Sequence, residues 1–207
     1  MIDTVLFDMG GTLEDIVSTP QTLSRAALGI INILESHDLK VLQTPREMEK
    51  LLSQGLKLYG DIREQNFIEL KPERIWADFM LSESGIDKAK IESISEELAN
   101  AWEILYFERK PRPGVKEMLS GLRSLGLKLG IVSNTASLYQ VFEQLEKYGF
   151  REYFSDVTLS SQVGYRKPHP NIFRIALLQI CSDAQHCVYV GDTVSRDGLG
   201  SKQAGLT

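Results

Sequence analysis

The pattern of hydrophobic and polar positions predicts four short strands separated by helices. Apolar runs, typical of strands buried on both faces, occupy four segments: Thr4 to Asp8, Lys128 to Ser133, Asp156 to Ser160 and Cys187 to Asp192. Helical segments lie between the last three. Because strands that alternate with helices pair in parallel, the sequence predicts an α/β fold with a parallel sheet.

Two apolar stripes with helical spacing predict helices that cover the faces of this sheet. The first stripe comprises Val115, Met118, Leu119, Leu122 and Leu125, and the second comprises Leu138, Val141, Phe142, Leu145 and Tyr148. We expect each stripe to face the sheet.

The segment between the first two predicted strands is over a hundred residues long, far too long for one crossover, and most of it has a helical pattern. Its first helix starts at Pro20, and the apolar positions that mark its helices are Leu23, Ala27, Ile30, Leu34, Trp76, Phe79, Met80, Leu98, Trp102 and Leu105. A stiff linker from Lys110 to Gly114 is predicted to close it. We therefore expect an α/β core of residues 1–17 and 109–207, and a separate helical domain of residues 18–108.

Composition narrows the possible functions. The 207 residues are 43% hydrophobic and 25% charged, which suffices for one good core and a small second one. The net charge of −5 does not favour binding to nucleic acid or to an anionic membrane. No segment of the sequence approaches the about 18 consecutive apolar residues that a membrane span needs. The N-terminus lacks the basic region and cleavage site of an export signal. We expect a cytoplasmic protein that acts on a small molecule.

The two cysteines, Cys181 and Cys187, have neither the spacing of a metal site nor the number of a disulfide framework. We expect two buried, reduced thiols.

Three of the four predicted strands end in residues suited to chemistry on phosphate. Asp8 ends the first strand, Ser133 with Asn134 and Thr135 ends the second, and Asp192 ends the fourth. Parallel α/β sheets place their sites at the carboxyl ends of the strands, so we expect these residues to meet.

With Lys167 and Asp197 added, the set resembles the haloacid dehalogenase-like hydrolase superfamily, in its branch with a helical cap inserted after the first strand. The four motifs of the family map onto Asp8 to Leu13, Ser133 with Asn134, Lys167, and Asp192 through Asp197. The resemblance covers essentially the whole chain. It implies a Rossmann-like parallel sheet with an inserted α-helical cap, and magnesium-dependent hydrolysis of a small phosphorylated metabolite.

The resemblance also implies roles for these residues. Asp8 is expected to be the nucleophile, since a carboxylate at a strand end can attack phosphorus and form an acyl phosphate. Attack of an anion on an anion needs positive charge, which Lys167 and Mg²⁺ would supply. The expected Mg²⁺ ligands are Asp8, the backbone carbonyl of Gly10, and Asp192. Asp197 is expected either to bind Mg²⁺ through water or to orient Lys167.

The phosphoryl oxygens are expected to bind the Ser133 hydroxyl and the backbone amides of Asn134 and Thr135, at the predicted start of a helix. A plain helix N-cap is the alternative interpretation of this segment. Gly11 and Thr12 of the first motif complete the predicted substrate-binding set.

The family pattern breaks at Gly10, where phosphatases of the family usually carry a second aspartate that transfers protons. Such a group contributes about 100- to 10,000-fold. Glu14 and Asp15 lie toward the predicted hinge and are not safe substitutes. Three interpretations follow: a phosphatase that uses good leaving groups or takes a proton donor from the cap or water, a carbon–phosphorus or carbon–halogen hydrolase, and a phosphate-binding protein with little turnover.

Carbon–phosphorus cleavage of the family's kind needs a cap lysine that forms a Schiff base, for which Lys50, Lys57 and Lys71 are available. Carbon–halogen hydrolases of the family need no metal, so the predicted magnesium site favours phosphorus. Family members normally continue past a segment like Lys202 to Gly205 into another strand and helix, so we expect a shortened chain or a fragment.

Overall fold

Four short apolar strands form a parallel sheet in the computed structural model, which describes residues 1–206. The strands of the chain are β1 (Thr4–Phe7), β2 (Glu14–Val17), β3 (Glu108–Pro111), β4 (Lys128–Ser133), β5 (Asp156–Leu159) and β6 (Cys187–Val190). The sheet has the order β5-β4-β1-β6, and each neighbouring pair is parallel. The predicted α/β fold and its four sheet strands are confirmed, with strand ends that differ by at most two residues.

Burial on both faces explains the apolar character of the central strand β1. All four of its residues are buried. Val5 and Phe7 pack in the core on one face of the sheet, and Leu6 packs in the core on the other. Side chains of a strand alternate between faces, so both sides must be covered. Phe7 pairs with Ile131 and with Val190, which aligns the carboxyl ends of three strands at one edge.

Ten helices accompany the sheet within residues 1–206. They are α1 (Pro20–Ser36), α2 (Pro45–Asn66), α3 (Pro72–Ile75), α4 (Lys88–Ser93), α5 (Ser95–Tyr106), α6 (Val115–Ser124), α7 (Gln140–Tyr148), α8 (Ser160–Val163), α9 (Pro170–Gln179) and α10 (Leu199–Gln203). A π-helical turn, Trp76–Met80, follows α3. Capping boxes at Thr19 and Thr44, each followed by a proline, explain why α1 and α2 begin where they do.

The helices α1 to α5 form a hydrophobic core of their own. Ile30, Leu52, Trp76, Leu98 and Trp102 lie in one buried cluster, which is separate from the two clusters that flank the sheet. Burial of this apolar stripe, more than helix propensity, stabilises such helices.

The pairing of β2 with β3 was not predicted. These strands form an antiparallel pair at the two ends of the inserted segment, with Ile16 opposite Arg109. The predicted linker from Lys110 to Gly114 is wrong in this respect, because its first two residues belong to β3. Both strands are four residues long and mostly polar, so they lack the alternation that marks a strand in a sequence.

The second predicted apolar stripe starts too early, since α7 begins at Gln140 and leaves Leu138 in the preceding loop. The Ser137 hydroxyl accepts hydrogen bonds from the backbone amides of Tyr139 and Gln140, at 3.2 and 3.1 Å, and so caps this helix. In the first stripe, Met118 and Leu125 are exposed.

The two cysteines differ in burial. Cys187 is buried at the start of β6, where burial raises the pKa of its thiol to about 12. Cys181 is exposed beyond the end of α9, so the expectation of two buried thiols is wrong for this residue. None of the helices in residues 1–206 is both long enough and apolar enough to cross a membrane.

Candidate active site

The carboxyl ends of β1, β4 and β6 meet at one cavity of about 330 Å³. Asp8 directly follows β1, Ser133 ends β4, and Asp192 lies two residues beyond β6. The residues predicted for the site that line this cavity are Asp8, Gly10, Gly11, Ser133, Asn134, Thr135, Lys167, Asp192 and Asp197. Thr12 does not line it, and its hydroxyl lies 3.4 Å from Asp8 Oδ2.

Lys167 forms two buried ion pairs at the centre of the site. Its Nζ donates to Asp8 Oδ1 at 2.5 Å and to Asp197 Oδ1 at 2.7 Å. Charge-assisted bonds of this kind are strong and geometrically specific. Burial raises the pKa of Asp8, and the Lys167 ammonium opposes that rise. The lysine thus places a positive charge against the strand-end carboxyl in a desolvated position.

Tyr189 on β6 completes this cluster and was missed by the sequence analysis. Its hydroxyl donates to Asp197 Oδ1 at 2.9 Å and accepts from Lys167 Nζ at 2.9 Å. Burial and the neighbouring carboxylates raise its pKa, so the hydroxyl stays protonated. In the sequence Tyr189 is one more apolar strand residue, and nothing distinguishes it.

Asp197 directs both of its oxygens at the protein. Oδ1 accepts from Lys167 and Tyr189, and Oδ2 accepts from the Thr193 amide at 3.0 Å. A side chain on Gly191 would overlap the Asp197 carboxyl, which explains the need for glycine there. Of the two predicted roles for Asp197, this geometry fits the orientation of Lys167.

Asp8, Asp192 and Asp197 form a cluster of carboxylates whose ligand oxygens lie within 4.8 Å of one another. Asp192 is exposed to the cavity, and a Cβ at Gly11, which has a φ of +88°, would overlap its carboxylate. Carboxylate oxygens are the donors that Mg²⁺ prefers in proteins. The residues present therefore fit a magnesium ion between Asp8 and Asp192.

Asn134 and Thr135, which follow β4, line the cavity and also form hydrogen bonds with neighbouring segments. The Asn134 side chain accepts from the Lys167 amide at 2.8 Å and donates to the Lys167 carbonyl at 3.1 Å. The Thr135 amide donates to Ser160 Oγ at 2.9 Å. Asn134 thus fixes the backbone of the lysine, and the amide of Thr135 is occupied within the protein.

Gly10 has room for a side chain. A Cβ at this position would meet only the Ile16 side chain, at 3.6 and 3.7 Å, which is ordinary van der Waals contact. Gly10 is not one of the described residues that have a positive φ. The backbone does not require glycine here.

The inserted segment supplies another wall of the cavity with Arg63, Glu103 and Phe107, and Arg109 on β3 follows directly after it. Arg109 pairs with Glu14 at 2.5 Å and with Glu103 at 2.7 Å. Its side chain is 10% exposed, so these are buried interactions. Glu14, set aside in the sequence analysis because it lies toward the hinge, is fully buried and anchors this wall.

A second buried ion pair joins the inserted segment to the loop that carries Lys167. Glu69 accepts hydrogen bonds from Arg166, Tyr59 and Ser160, the last at 2.6 Å. The Arg166 amide also donates to the Phe67 carbonyl at 2.8 Å. Arg166 stands beside Lys167 in the sequence, but nothing there identifies Glu69 as its partner.

The lysines considered for a Schiff base lie elsewhere. Lys50, Lys57 and Lys71 are exposed, and within residues 1–206 none of them lines the cavity over Asp8.

Comparison with known proteins agrees with this fold. The family model of the haloacid dehalogenase-like hydrolases matches residues 2–205, so the chain belongs to this family of enzymes, as the resemblance implied. It is 28% identical to the glyceraldehyde 3-phosphate phosphatase of Methanopyrus kandleri over all of this chain and 82% of the relative. It is 24% identical to the phosphoglycolate phosphatase of Agrobacterium fabrum over 97% of this chain and 76% of the relative.

Solved structures show the same fold. The 2-haloacid dehalogenase of Pseudomonas syringae pv. Tomato DC3000 superimposes with a TM-score of 0.70, covering all of this chain and 84% of that one. The identity is 22%, so this likeness concerns the fold alone.

Proposed function

We propose that this hydrolase is a magnesium-dependent phosphatase that transfers the phosphoryl group of a small phosphorylated metabolite to Asp8. The observation that carries the proposal is the buried contact of 2.5 Å between Lys167 Nζ and Asp8 Oδ1, with Asp192 beside it. The relatives named as phosphatases of glyceraldehyde 3-phosphate and phosphoglycolate support the same substrate class.

In the first step, the Asp8 oxygen that is not bonded to Lys167 attacks phosphorus. The bond between phosphorus and the alcohol oxygen breaks, and its electron pair leaves with the alcohol oxygen, which takes up a proton. Lys167 and the Ser133 hydroxyl bind phosphoryl oxygens as charge moves onto them. Water then loses a proton and attacks the phosphorus of the aspartyl phosphate. The bond between phosphorus and the Asp8 oxygen breaks, which frees the Asp8 carboxylate and releases phosphate.

Magnesium, held by Asp8, Asp192 and the Gly10 carbonyl, would supply the positive charge that lets one anion approach another. Asp197 positions Lys167 for this step, because both of its oxygens are engaged by Lys167, Tyr189 and the Thr193 amide.

For the proton transfers that Gly10 cannot perform, we propose Glu103. This carboxyl comes from α5 and lines the same cavity as Asp8. Burial raises the pKa of Glu103, and Arg109 at 2.7 Å lowers it. A carboxyl under these opposing influences can exchange a proton with the attacking water or the leaving alcohol. Replacing Glu103 by glutamine keeps the shape of the side chain and removes this capacity.

Residues 18–108 act as the cap in this proposal, because their Arg63, Glu103 and Phe107 face the site that cleaves the ester. The alternative of carbon–phosphorus cleavage loses support, since its candidate lysines are exposed outside the cavity.

Release of inorganic phosphate from a panel of phosphate monoesters, with and without Mg²⁺, tests the proposal. We expect turnover that requires Mg²⁺ and a magnesium-induced rise in melting temperature, because ligand at one hundred times its dissociation constant raises the free energy of unfolding by about 2.7 kcal/mol. Asp192→Asn should remove both effects, and Asp183→Asn, which changes a carboxylate outside the cavity, should keep them. Release of halide from a haloacid without release of phosphate from any ester would overturn the proposal.

A further inference from the structure

A second cavity of about 290 Å³ lies inside the cap next to the one over Asp8. Four residues line both cavities: Arg63, Glu103, Phe107 and Ala136. The two spaces therefore adjoin, and we call the boundary that these four residues share the passage.

The second cavity is lined mainly by aromatic and aliphatic side chains. Trp76 and Trp102 meet edge to face with ring centroids 6.4 Å apart, and Tyr106 stacks on Trp102 at 4.4 Å. Leu56, Tyr59, Ile75, Met80 and Ala99 are further lining residues. An apolar cavity of about 150 Å³ is large enough to take up benzene. The volume here is therefore sufficient for one aromatic ring.

Polar atoms without partners lie at the wall of the cavity over Asp8. Seven buried side-chain polar atoms in residues 1–206 lack a hydrogen-bond partner, and three of them belong to Arg63 and Gln140. Both residues line the cavity over Asp8, and Gln140 is 1% exposed. A buried polar group without a partner costs about 1–3 kcal/mol, so its presence at a cavity wall points to a ligand that bonds it.

Arg63 differs from Arg109, which lines the same cavity. Arg109 is neutralised by Glu14 and Glu103, whereas Arg63 forms no ion pair in the described part of the chain. Burial lowers the pKa of Arg63, and the neighbouring Arg166 lowers it further. An electronegative oxygen placed against this guanidinium would relieve both effects.

We propose, on the basis of the phosphatase function above, that the alcohol part of the substrate carries a flat apolar or aromatic ring and, between ring and phosphate, an oxygen that Arg63 and Gln140 bind. The ring occupies the cavity that Trp76 and Trp102 line, while the phosphoryl group lies at Asp8. Substrates of this class extend well beyond a three-carbon phosphate.

The proposed binding of a ring is tested by calorimetry in the presence of Mg²⁺. The affinities of 2-phenylethylphosphonate and ethylphosphonate for the protein are compared. These probes differ only in the phenyl group and do not depend on turnover. We expect the phenyl probe to bind at least about tenfold tighter, because apolar surface is removed from water. Ala99→Leu, which fills the cavity, should remove this difference. Ala89→Leu, at an exposed position of α4, is the matched control and should retain it.

The proposed bond between Arg63 and a substrate oxygen is tested by steady-state kinetics. The substrate is thymidine 5′-monophosphate, which has both a ring and polar oxygens. Arg63→Met should raise KM at least about tenfold, in line with the loss of a hydrogen bond to a charged group. Arg46→Met, exposed on the same helix α2, should leave KM unchanged.

The outcomes separate the two proposals. Equal affinity of the wild-type protein for both phosphonates would overturn the inference on the ring and leave the phosphatase proposal standing. An unchanged KM in Arg63→Met would overturn the role of the passage. If neither phosphonate binds and no phosphate ester is hydrolysed, the phosphatase proposal falls, and the inference falls with it.

Discussion

The two walls of the cavity over Asp8 are built from different kinds of contact. On the strand-end wall, Asp8, Ser133 and Asp192 follow strands whose register is set by backbone pairing. On the cap wall, Arg63 and Glu103 project from helices that belong to a separate hydrophobic core. The first wall is fixed by the sheet, whereas the second depends on side-chain contacts between distant parts of the chain.

A comparison of Lys167 with Arg63 shows what this difference means. Lys167 is neutralised by two carboxylates and held at its backbone by Asn134. Arg63 is buried with an unpaired Nε and has no carboxylate partner among residues 1–206. A cation whose charge the protein balances is positioned in advance, and one left unbalanced gains from a ligand. In the function proposed above, the strand-end wall carries out the reaction and the cap wall chooses its substrate.

Glu69→Gln breaks the connection between the two walls and is expected to have the largest effect. Removing one charge of a buried ion pair leaves Arg166 uncompensated, which costs about 3–5 kcal/mol of stability. Urea unfolding measures this change. Asp15→Asn disrupts an exposed ion pair with Arg112 and serves as the control, with a cost of at most about 1 kcal/mol.

A double-mutant cycle sharpens this prediction. Glu69→Leu combined with Arg166→Met should cost less than the sum of the single changes, because no unpaired charge stays buried. Additive costs would show that the pair does not couple the cap to the loop of Lys167.

Lys167→Met tests the strand-end wall alone. Loss of the ammonium that contacts Asp8 should lower kcat about 100- to 1,000-fold, the usual effect of deleting one donor to a developing charge. The measurement is phosphate release at saturating Mg²⁺ on protein shown to be folded. Lys202→Met, at an exposed lysine of α10, should retain activity. Full activity of Lys167→Met would remove this lysine from the reaction.

Gly10→Asp tests whether a carboxyl at residue 10 can perform the proton transfers that glycine cannot. The Cβ at residue 10 has ordinary contacts, so the first side-chain atom of an aspartate can be accommodated. We expect a gain of up to about 100-fold on esters of poorly acidic alcohols and a smaller gain on aryl phosphates. The gain should be larger in a Glu103→Gln background. Equal gains in both backgrounds would argue against Glu103 as the proton carrier.

The sequence predicted the sheet and the strand-end wall because these depend on local signals. Apolar runs identify the strands, and the reactive residues Asp8, Ser133 and Asp192 lie at or within two residues of the strand ends. The cap wall could not be predicted, since Glu69 and Arg166 are separated by 96 other residues and neither has a pattern that indicates burial. The same applies to Glu14, a charged residue that becomes fully buried through contacts with Arg109 and Tyr148.

The strand pair β2–β3 was missed for a related reason. Its stability comes from pairing between segments that are distant in the sequence, with Arg109 and Glu14 in an ion pair, and not from an apolar pattern. Gly10 shows a limit of a different kind, because the sequence reveals the missing aspartate but not that a carboxyl from the cap lines the same cavity.

The covalent state of Asp8 during turnover tests the central claim most directly. The protein is mixed with a phosphate ester and Mg²⁺, quenched in acid within the first turnover, digested, and analysed by mass spectrometry. The account predicts one added phosphoryl group on the peptide that contains Asp8, and none in Asp8→Asn. Phosphate release without any phosphorylated Asp8 peptide, or phosphorylation at another residue, would contradict it.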